Sequence, residues 1–305
     1  MSRKTMNDRK KEVYAILGFD METDCGSWSP FYNGLVKGTP LILELLKSKN
    51  VKATFFFTGE AVKMHPEIVK QVLDADNEHE IGCHSLYHET LGDPIFEIPL
   101  IKPLLPEEVK NRIEIATQLI EKISGIRSVS FRCPRLWGST NVVVALEELG
   151  YVTDASYPMY YYEKQLTPYH PSKENWLEKG DLKIIEIPNF ADITIPSKDK
   201  YKRDRDQWPI FRTKGGKVLL QHVDNFINFM NEKNLSVVLC FYFHPWEFIK
   251  MPDKFRYGEG TVIPDEYLIK NCGDYALRQL EVIIDGLFSR NIKFITAKDL
   301  ACVLS

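Results

Sequence analysis

Two histidines separated by three residues, His84 and His88 in the segment His-Ser-Leu-Tyr-His, have the spacing of a metal site. An i, i+4 pair puts both imidazoles on one side of a helical turn, and imidazole nitrogens are common zinc ligands. Such a short motif also arises by chance, so two unrelated loop histidines are the alternative. The segment 20–24, Asp20-Met-Glu22-Thr-Asp24, supplies carboxylates that could complete the site.

Four more polar residues with catalytic potential each follow a short apolar run: Arg132, Asp154, Glu186 and His244. Arg132 could bind a carboxylate or be merely solvated, and a lone histidine beside apolar residues is usually a core residue. Asp20 could likewise cap a helix or a turn, a common role of aspartate. Three carboxylates within residues 20–24 nevertheless favour a site in which one is a base and another binds a cation.

The elements that must position these residues alternate between strand-like and helical patterns. Strands are predicted at residues 13–19, 51–57, 79–83, 129–132, 151–154, 183–187, 236–243 and 292–296. Helices are predicted at residues 39–49, 65–75, 107–124, 141–149, 218–231 and 274–289. This alternation predicts βαβ units and a parallel sheet. About eight strands, with no Gly-x-Gly-x-x-Gly after the first, favour a barrel over an open dinucleotide-binding sheet.

The polar residues named above all fall at the C-terminal ends of predicted strands. That end of an α/β barrel carries the active site. Because the residues follow six separate strands, we predict that they meet at one mouth of the barrel. This convergence favours a metal site at His84 and His88 over a chance occurrence of the motif.

Composition excludes several classes of protein. The 305 residues are 44% hydrophobic and carry a net charge of −3 with acids and bases mixed, which argues against a nucleic-acid partner. No apolar run reaches the ~18 residues of a membrane span, and the N-terminus is polar and lacks a leader pattern. We therefore expect a cytoplasmic protein with a polar tail at residues 1–12 and one barrel domain at residues 13–303.

Three long stretches, residues 89–106, 155–182 and 188–216, do not fit the regular pattern and are rich in Pro, Tyr and Trp. Long ordered loops in compact domains are usually functional. We expect these inserted loops to lie over the C-terminal face of the strands, with residues 155–182 and 188–216 covering the barrel mouth and restricting the substrate to a small molecule or short oligosaccharide. The alternative is an aromatic interface between copies of the chain in a homo-oligomer.

Five segments resemble, in order, the motifs of one family. They are Gly-Phe-Asp-Met-Glu at residues 18–22, His-Ser-Leu-Tyr-His at 84–88, Phe-Arg-Cys-Pro at 131–134, Asp-Ala-Ser at 154–156 and Phe-His-Pro-Trp-Glu at 243–247. The chain resembles the polysaccharide deacetylase (NodB-homology) family, carbohydrate esterase family 4, over roughly residues 13–300. This resemblance implies an irregular (β/α)7-type barrel and metal-dependent removal of N- or O-acetyl groups from sugars.

The resemblance also implies a role for each matching residue. Asp20 would be the general base, oriented by Arg132, and His84 and His88 would bind the metal. His244 would be the general acid, with its charge set by Asp154. The residues expected to contact the acyl group or the substrate are Leu136, Trp137, Trp246, Glu186 and Tyr157.

The first motif departs from the usual form of the family, in which a second Asp follows the first and binds the metal. Here Met21 follows Asp20, so Glu22 or Asp24 must be the third ligand. We favour Glu22, because its longer side chain can replace an Asp placed closer. The metal expected is a divalent cation, with zinc the first candidate.

The Asp-x-Glu form and the His-Pro-x-Glu ending resemble the branch of the family that includes allantoinase-like hydrolases of small amides. The leading functional prediction is therefore a hydrolase of carbon–nitrogen bonds other than peptide bonds, acting on an N-acetylated sugar or related small amide. A cytoplasmic hydrolase of a cyclic amide, imide or ureide is the alternative. A catalytically inactive sugar-binding protein is less consistent with the full set of polar residues.

Overall fold

The structure is a computed structural model that describes residues 12–99 and 101–304. Its strands are β1 (Val13–Met21), β2 (Thr54–Phe57), β3 (Glu80–Cys83), β4 (Ser130–Phe131), β5 (Thr153–Asp154), β6 (Ile185–Glu186), β7 (Val237–Phe243), β8 (Phe255–Tyr257), β9 (Gly260–Val262) and β10 (Lys293–Phe294). Strands β8 and β9 form a separate antiparallel hairpin. The other eight form one parallel sheet.

The parallel sheet curls into an incomplete barrel around β1. Strand β1 pairs with β7 along most of its length, with β2 near its C-terminal end and with β10 beside Tyr14 and Ala15. The order then runs from β2 through β3, β4 and β5 to β6. Past β6, Asn189 bridges Cys240 of β7, and the Phe190 N–H donates to the Cys240 carbonyl at 2.8 Å. Seven strands, β1 to β7, therefore form the curved wall, and this bridge joins the segment after β6 to β7, which confirms the predicted (β/α)7-type barrel.

The helices cover the outside of the barrel and pack their apolar faces against the strands. They are α1 (Asn33–Lys49), α2 (Gly59–Met64), α3 (Pro66–Leu73), α4 (Pro106–Ser124), α5 (Thr140–Glu148), α6 (Met159–Tyr162), α7 (Gln207–Thr213), α8 (Gly216–Glu232), α9 (Glu266–Ile269), α10 (Asp274–Ser289) and α11 (Ala297–Leu304). Within residues 12–99 and 101–304, no helix combines the length and the apolar character that a membrane crossing requires.

Side chains fill the interior of the barrel at the N-terminal ends of the strands, whereas the opposite end is open to a ligand. Ile16, Phe56 and Ile185 belong to a small apolar cluster that α11 closes through Ala297 and Leu300. Below them the buried Glu80 accepts hydrogen bonds from Thr54, Ser130 and the Lys298 N–H at the start of α11. The open end is therefore the C-terminal end of the strands.

Helix α1 begins earlier than its local sequence predicts. Thr39-Pro40 is a typical start signal, yet the helix begins at Asn33 and carries Pro40 inside. The carboxylate of Asp24 accepts hydrogen bonds from the backbone N–H groups of Asn33 at 3.1 Å and Gly34 at 2.7 Å. A cap nine positions upstream in the chain replaces the usual neighbouring one. The predicted tail, residues 1–12, lies outside the described residues except for Glu12.

Candidate active site

The C-terminal ends of β1, β3 and β7 open into one cavity of ≈ 360 Å³. Most of its lining side chains are aromatic or charged: Asp20, Glu22, Trp28, His84, His88, Phe96, Arg135, Arg203, Trp208, Tyr242, His244, Trp246 and Tyr267. The rest of the wall comes from Cys25, Gly26, Ile98, Leu136 and Leu268. The five residues with the strongest sequence signals, Asp20, Glu22, His84, His88 and His244, thus meet in one place.

Glu22, His84 and His88 are buried and bring one ligand atom each within 4.8 Å of one another. Glu22 Oε2 lies 2.5 Å from His88 Nε2 and 3.4 Å from His84 Nε2. Within the residues that the structure describes, neither Glu22 Oε2 nor His84 Nε2 makes a hydrogen bond of acceptable geometry. Buried polar atoms without partners are rare, and here they converge on one point, so the three residues fit a divalent cation.

The tautomer of His84 also suits a ligand. Its Nδ1 lies 2.7 Å from the backbone carbonyl of Arg132, which can only accept a hydrogen bond. The proton therefore resides on Nδ1, and the lone pair of Nε2 points toward Glu22. Metal-binding histidines are commonly oriented by such a second hydrogen bond.

The surroundings favour the ionised form of Glu22, and burial disfavours the protonated form of His88. Burial opposes ionisation of Glu22, but His88, His84 and His244 outweigh it and hold its pKa well below the usual range. Burial lowers the pKa of His88, and the charge of Glu22 only partly opposes this. An ionised carboxylate and a neutral imidazole are the forms that bind metal.

Asp20 lies beside this cluster and is held by Arg132. Arg132 Nη1 donates to Asp20 Oδ1 at 2.8 Å, and Asp20 Oδ2 lies 4.0 Å from both His84 Nε2 and His244 Nε2. The other carboxylate oxygen thus faces the cavity. The guanidinium can cross the barrel only because residue 18 is Gly, since a Cβ there would lie 2.3 Å from Arg132 Nη1.

Arg132 itself is fixed along its length. Its Nε donates to the Ala155 carbonyl at 3.2 Å, its Nη2 donates to the Phe241 carbonyl at 3.3 Å, and its guanidinium lies 4.4 Å from the centre of the Phe56 ring. Burial opposes the charge of Arg132, yet Asp20 and Cys240 raise its pKa. It is a permanent cation that orients one oxygen of Asp20.

His244 faces the cavity from the end of β7 and is held by Glu247. His244 Nδ1 lies 3.2 Å from Glu247 Oε2, and Nε2 lies 3.9 Å from Glu22 Oε1. Arg212 in turn donates to Glu247 Oε1 at 2.6 Å. Burial lowers the pKa of His244, but Glu247, Glu22 and Asp20 outweigh it and raise the pKa. His244 is therefore suited to hold a proton.

Asp154 does not occupy the place beside His244 that the family resemblance implies. Its carboxylate accepts a hydrogen bond from Ser156 and lies against Glu186. Glu186 Oε1 accepts from the N–H groups of Ser156 at 3.0 Å and Tyr157 at 2.8 Å. The carboxylate beside His244 is Glu247, which lies three residues along the same turn and needs no second strand to supply it.

Asp154 and Glu186 form a buried carboxyl pair behind the cavity. Burial raises the pKa of Asp154 to about 6, and burial together with the Asp154 charge raises the pKa of Glu186 well above its usual range. In the described part of the chain, no donor forms a hydrogen bond to Asp154 Oδ2 or Glu186 Oε2. We infer that one proton is held between these two oxygens. Glu186, which the sequence predicts to contact substrate, is fully buried and is not among the residues that line the cavity.

The predicted substrate contacts divide into two groups. Trp246 and Leu136 line the cavity. Trp137 and Tyr157 do not: Trp137 is buried against Phe96, and the Tyr157 hydroxyl accepts hydrogen bonds from the backbone of residues 164 and 165. Packing behind the wall removes both from contact with a ligand.

The three inserted stretches contribute different numbers of side chains to the cavity. Residues 89–106 supply Phe96 and Ile98 to the cavity, and residues 188–216 supply Arg203 and Trp208. Residues 155–182 supply none, because their large aromatic side chains pack inside the same chain. Tyr157, Tyr169 and Trp176 are all buried. These three rings are therefore unavailable to the aromatic interface between copies that the sequence allows as an alternative.

Asp24, the other candidate third ligand, is not part of the cluster of Glu22, His84 and His88, and its carboxylate accepts hydrogen bonds at the start of α1. Residues of the wall that the sequence did not indicate include Arg135, Arg203, Tyr242 and Tyr267. None belongs to a spaced motif of its own, and all four lie outside the family motifs. Arg212, which donates to Glu247, was missed for the same reason. Glu247 itself could have been predicted as the partner of His244, because it follows His244 by three residues.

Comparison with known proteins agrees with this geometry. Residues 8–153 match the family model described as polysaccharide deacetylase. Over 125 residues the chain is 31% identical to the peptidoglycan-N-acetylmuramic acid deacetylase PdaA of Bacillus subtilis (strain 168). That match covers 40% of this chain and 43% of the relative, so the chain spans less than half of the relative's length.

Solved structures share the fold along nearly the whole chain. A protein from Mycobacterium smegmatis, provisionally described as a polysaccharide deacetylase, superposes with a TM-score of 0.62 at 18% identity, covering 95% of this chain and 89% of that one. The structure of Puue allantoinase superposes with a TM-score of 0.61 at 13% identity, covering 96% and 90%. These similarities concern the fold. Residues 8–153, which include the segments around Asp20 and His84, are thus similar to the polysaccharide deacetylase family.

Proposed function

We propose that this protein is a hydrolase that removes the acyl group from an N-acylated sugar or a related small amide by attack of water. One observation carries the proposal. A site fitted for a divalent cation, an anchored carboxylate at Asp20 and a histidine with a raised pKa at His244 all face one cavity. Amide hydrolysis needs these three functions: activation of water, a base and an acid for the amine.

The cation site would contribute electrophilic chemistry. Bound by Glu22, His84 and His88, a divalent metal would supply Lewis acidity toward water and toward a carbonyl oxygen. Zinc suits two imidazoles and one carboxylate, which leave a coordination position open. The chain's own part is to keep Glu22 ionised and His88 neutral, as their pKa shifts favour.

Asp20 is the base of the proposed reaction. Oδ1 is engaged by Arg132, so Oδ2 is the oxygen that can accept a proton from water in the cavity. Arg132 limits rotation of the carboxylate and keeps Oδ2 turned toward His84 and His244. A base fixed in this way avoids the loss of rate that accompanies misorientation.

His244 is the acid. With Nδ1 directed at Glu247, its Nε2 faces the cavity and can donate a proton to the departing nitrogen. An amine leaves poorly unless it is protonated, so this donation is required in the same turnover. The rings of His244 and Trp246 stack with centroids 5.1 Å apart, which fixes the plane of the imidazole.

A cyclic amide, imide or ureide is the second candidate substrate, and the walls of the cavity favour it. Trp208 and Trp246 flank His244, and Tyr267 packs edge-on against Trp208. Flat aromatic faces suit a planar ring, and both reactions break a carbon–nitrogen bond with the same acid and base.

The test is release of amine by wild type and by Asp20→Asn. Asn has nearly the same shape but cannot accept the proton, so we expect kcat to fall by roughly 10²- to 10⁴-fold. Substrates are N-acetylglucosamine oligomers of rising length and a panel of small cyclic amides. Protein purified without chelator is analysed for metal in parallel.

The same assay separates the alternatives. We expect about one equivalent of divalent metal in both wild type and Asp20→Asn under this single-site proposal. Wild-type kcat in Asp20→Asn would remove Asp20 from the mechanism. Binding of a sugar without turnover of any amide would support a sugar-binding protein instead.

A further inference from the structure

The turn that carries both histidine ligands has an unusual backbone at two positions. Ser85 has φ of 68° and His88 has φ of 58°, both in the left-handed region that residues other than glycine rarely adopt. Such backbone costs free energy and persists at a ligand site only where the surrounding structure holds it. The place of the His88 imidazole therefore depends on the contacts that fix residues 85–88.

Glu89, the residue after the second histidine, closes this turn with its carboxylate. Its Oε2 accepts a hydrogen bond from the hydroxyl of Ser85 at 3.0 Å and another from the backbone N–H of Tyr87 at 2.6 Å. The Ser85 side chain is fully buried, so water cannot simply take the place of this acceptor. One oxygen thus joins the beginning of the turn to its end, and His88 lies inside the closed segment.

The two histidines are held by different means. His84 directly follows strand β3, its backbone N–H pairs with strand β2 at 2.8 Å, and its Nδ1 is directed at the Arg132 carbonyl at 2.7 Å. His88 lies four residues further on, in the turn itself, and reaches Glu22 from there. Loss of the contacts made by Glu89 should therefore displace His88 and leave His84 in place.

Glu89 can act on the site only through this turn. It is not among the residues that line the cavity, and it does not belong to the cluster of Glu22, His84 and His88. Residues that hold a ligating histidine in its orientation commonly contribute to metal affinity without contacting the metal. The geometry of Glu89 matches that role.

We propose that Glu89 is a positioning residue that holds His88 in the orientation required to bind a divalent cation. The inference deepens the proposed function and rests on its metal site. The carboxylate acts through two hydrogen bonds, to Ser85 and to the backbone of Tyr87. Its part is to preorganise the turn, so that binding the cation does not have to order it.

The experiment measures the dissociation constant of zinc, by competition with a chromophoric chelator, for chelator-treated wild type and variants. We expect Glu89→Ala to raise Kd by roughly 10- to 100-fold, the usual effect of losing a partner that orients a ligand. Glu89→Gln should stay close to wild type, because an amide oxygen can accept the same two hydrogen bonds. Ser85→Ala removes one of the two and should raise Kd less than Glu89→Ala does.

Glu67→Ala is the matched control. Glu67 also lies two residues from a histidine that it contacts, with 2.9 Å between its Oε1 and His65 Nδ1, but it belongs to α3 and does not line the cavity. Its removal should leave Kd unchanged. Melting temperatures of the metal-free proteins show whether each variant folds, and if Glu89→Ala does not, Ser85→Ala decides: a raised Kd supports the proposal and an unchanged one contradicts it.

The same titrations distinguish the ways in which the proposal can fail. Wild-type Kd in Glu89→Ala would overturn the role of Glu89 and leave the metal site intact. An equal rise in Glu89→Gln and Glu89→Ala would show that the negative charge acts rather than the hydrogen bonds, which contradicts positioning. Absence of zinc binding in wild type would overturn the metal site of the proposed function and this inference with it.

Discussion

Each candidate catalytic residue is held by a partner that leaves one functional atom facing the cavity. Arg132 engages one oxygen of Asp20, Glu247 engages Nδ1 of His244, and the Arg132 carbonyl engages Nδ1 of His84. The partner decides both orientation and charge. The chemistry therefore depends on pairs of residues, and the partner of His244 differs from the one that the family pattern suggests.

The buried pair Asp154–Glu186 gives a prediction about pH. Both pKa values are raised in the folded protein, that of Asp154 to about 6. The folded state thus holds a proton that the unfolded chain releases near the ordinary carboxylate pKa of about 4. The pair's stabilising contribution is complete below that pKa and is lost as pH rises through the folded-state values.

Glu186→Gln removes this dependence, since an amide N–H can donate to Asp154 at any pH. We expect the variant to match wild type in urea unfolding at or below about pH 4, the ordinary carboxylate pKa. As the pH rises from there to the pKa of Glu186 in the folded state, it should gain on wild type by up to about 1.4 kcal/mol per pH unit for one proton, and above that pKa the difference should stay constant. Glu259→Gln, on an exposed turn, is the control. Parallel stability curves for wild type and Glu186→Gln would show that no proton is shared.

At the scale of elements, the segment after β1 divides its carboxylates between chemistry and structure. Glu22 turns into the cavity, whereas Asp24 binds the N-terminus of α1. The chain in this segment thus carries a ligand and a helix cap two residues apart. Neighbours in sequence acquire different roles because α1 packs over the end of β1.

Asp24→Ala should therefore weaken the fold and spare the metal. Loss of the cap leaves N–H groups of Asn33 and Gly34 without their acceptor, which costs about 1–2 kcal/mol. Thermal unfolding and metal analysis measure the two effects together. Asp24→Asn keeps an acceptor and should lie closer to wild type. Loss of metal with Asp24→Ala but not with Glu22→Gln would reverse the assignment of the third ligand.

At the scale of the molecule, the site is assembled by closure of the barrel. Asp20 and His244 lie on adjacent strands β1 and β7, although 224 positions separate them in the chain. Glu22 and the histidines come from β1 and β3, which are held apart by β2. A cation that bridges these segments would link parts of the barrel that unfolding separates.

Metal binding should consequently raise the melting temperature. A ligand that binds only the folded state stabilises it by about 2.7 kcal/mol when its free concentration is one hundred times Kd. Zinc added to chelator-treated wild type should shift thermal unfolding upward, and Glu22→Gln should lose most of that shift. An equal shift in both proteins would place the cation elsewhere.

Much of the architecture could be predicted from the sequence, because local pattern is enough for it. Alternating apolar and amphipathic runs indicate a parallel α/β barrel, and strand ends indicate the side of the barrel that carries chemistry. The described parts of the eight predicted strands all have counterparts in the sheet, though several are shorter. The start of α1 at Asn33 and the hairpin β8–β9 were missed, since neither carries a clear local signal.

The sequence by itself determined which residues lie at the strand ends that face the cavity. They are Asp20, Glu22, His84, His88 and His244. Their order follows from hydrophobic periodicity and short motifs, which are properties of neighbouring residues. Only the tertiary structure decided which side chains hold these residues in place and which side chains line the cavity around them. Glu247 in place of Asp154, the burial of Trp137 and the entry of Arg135 all depend on how loops pack across the barrel. Such contacts join segments far apart in the chain, and no local pattern records them.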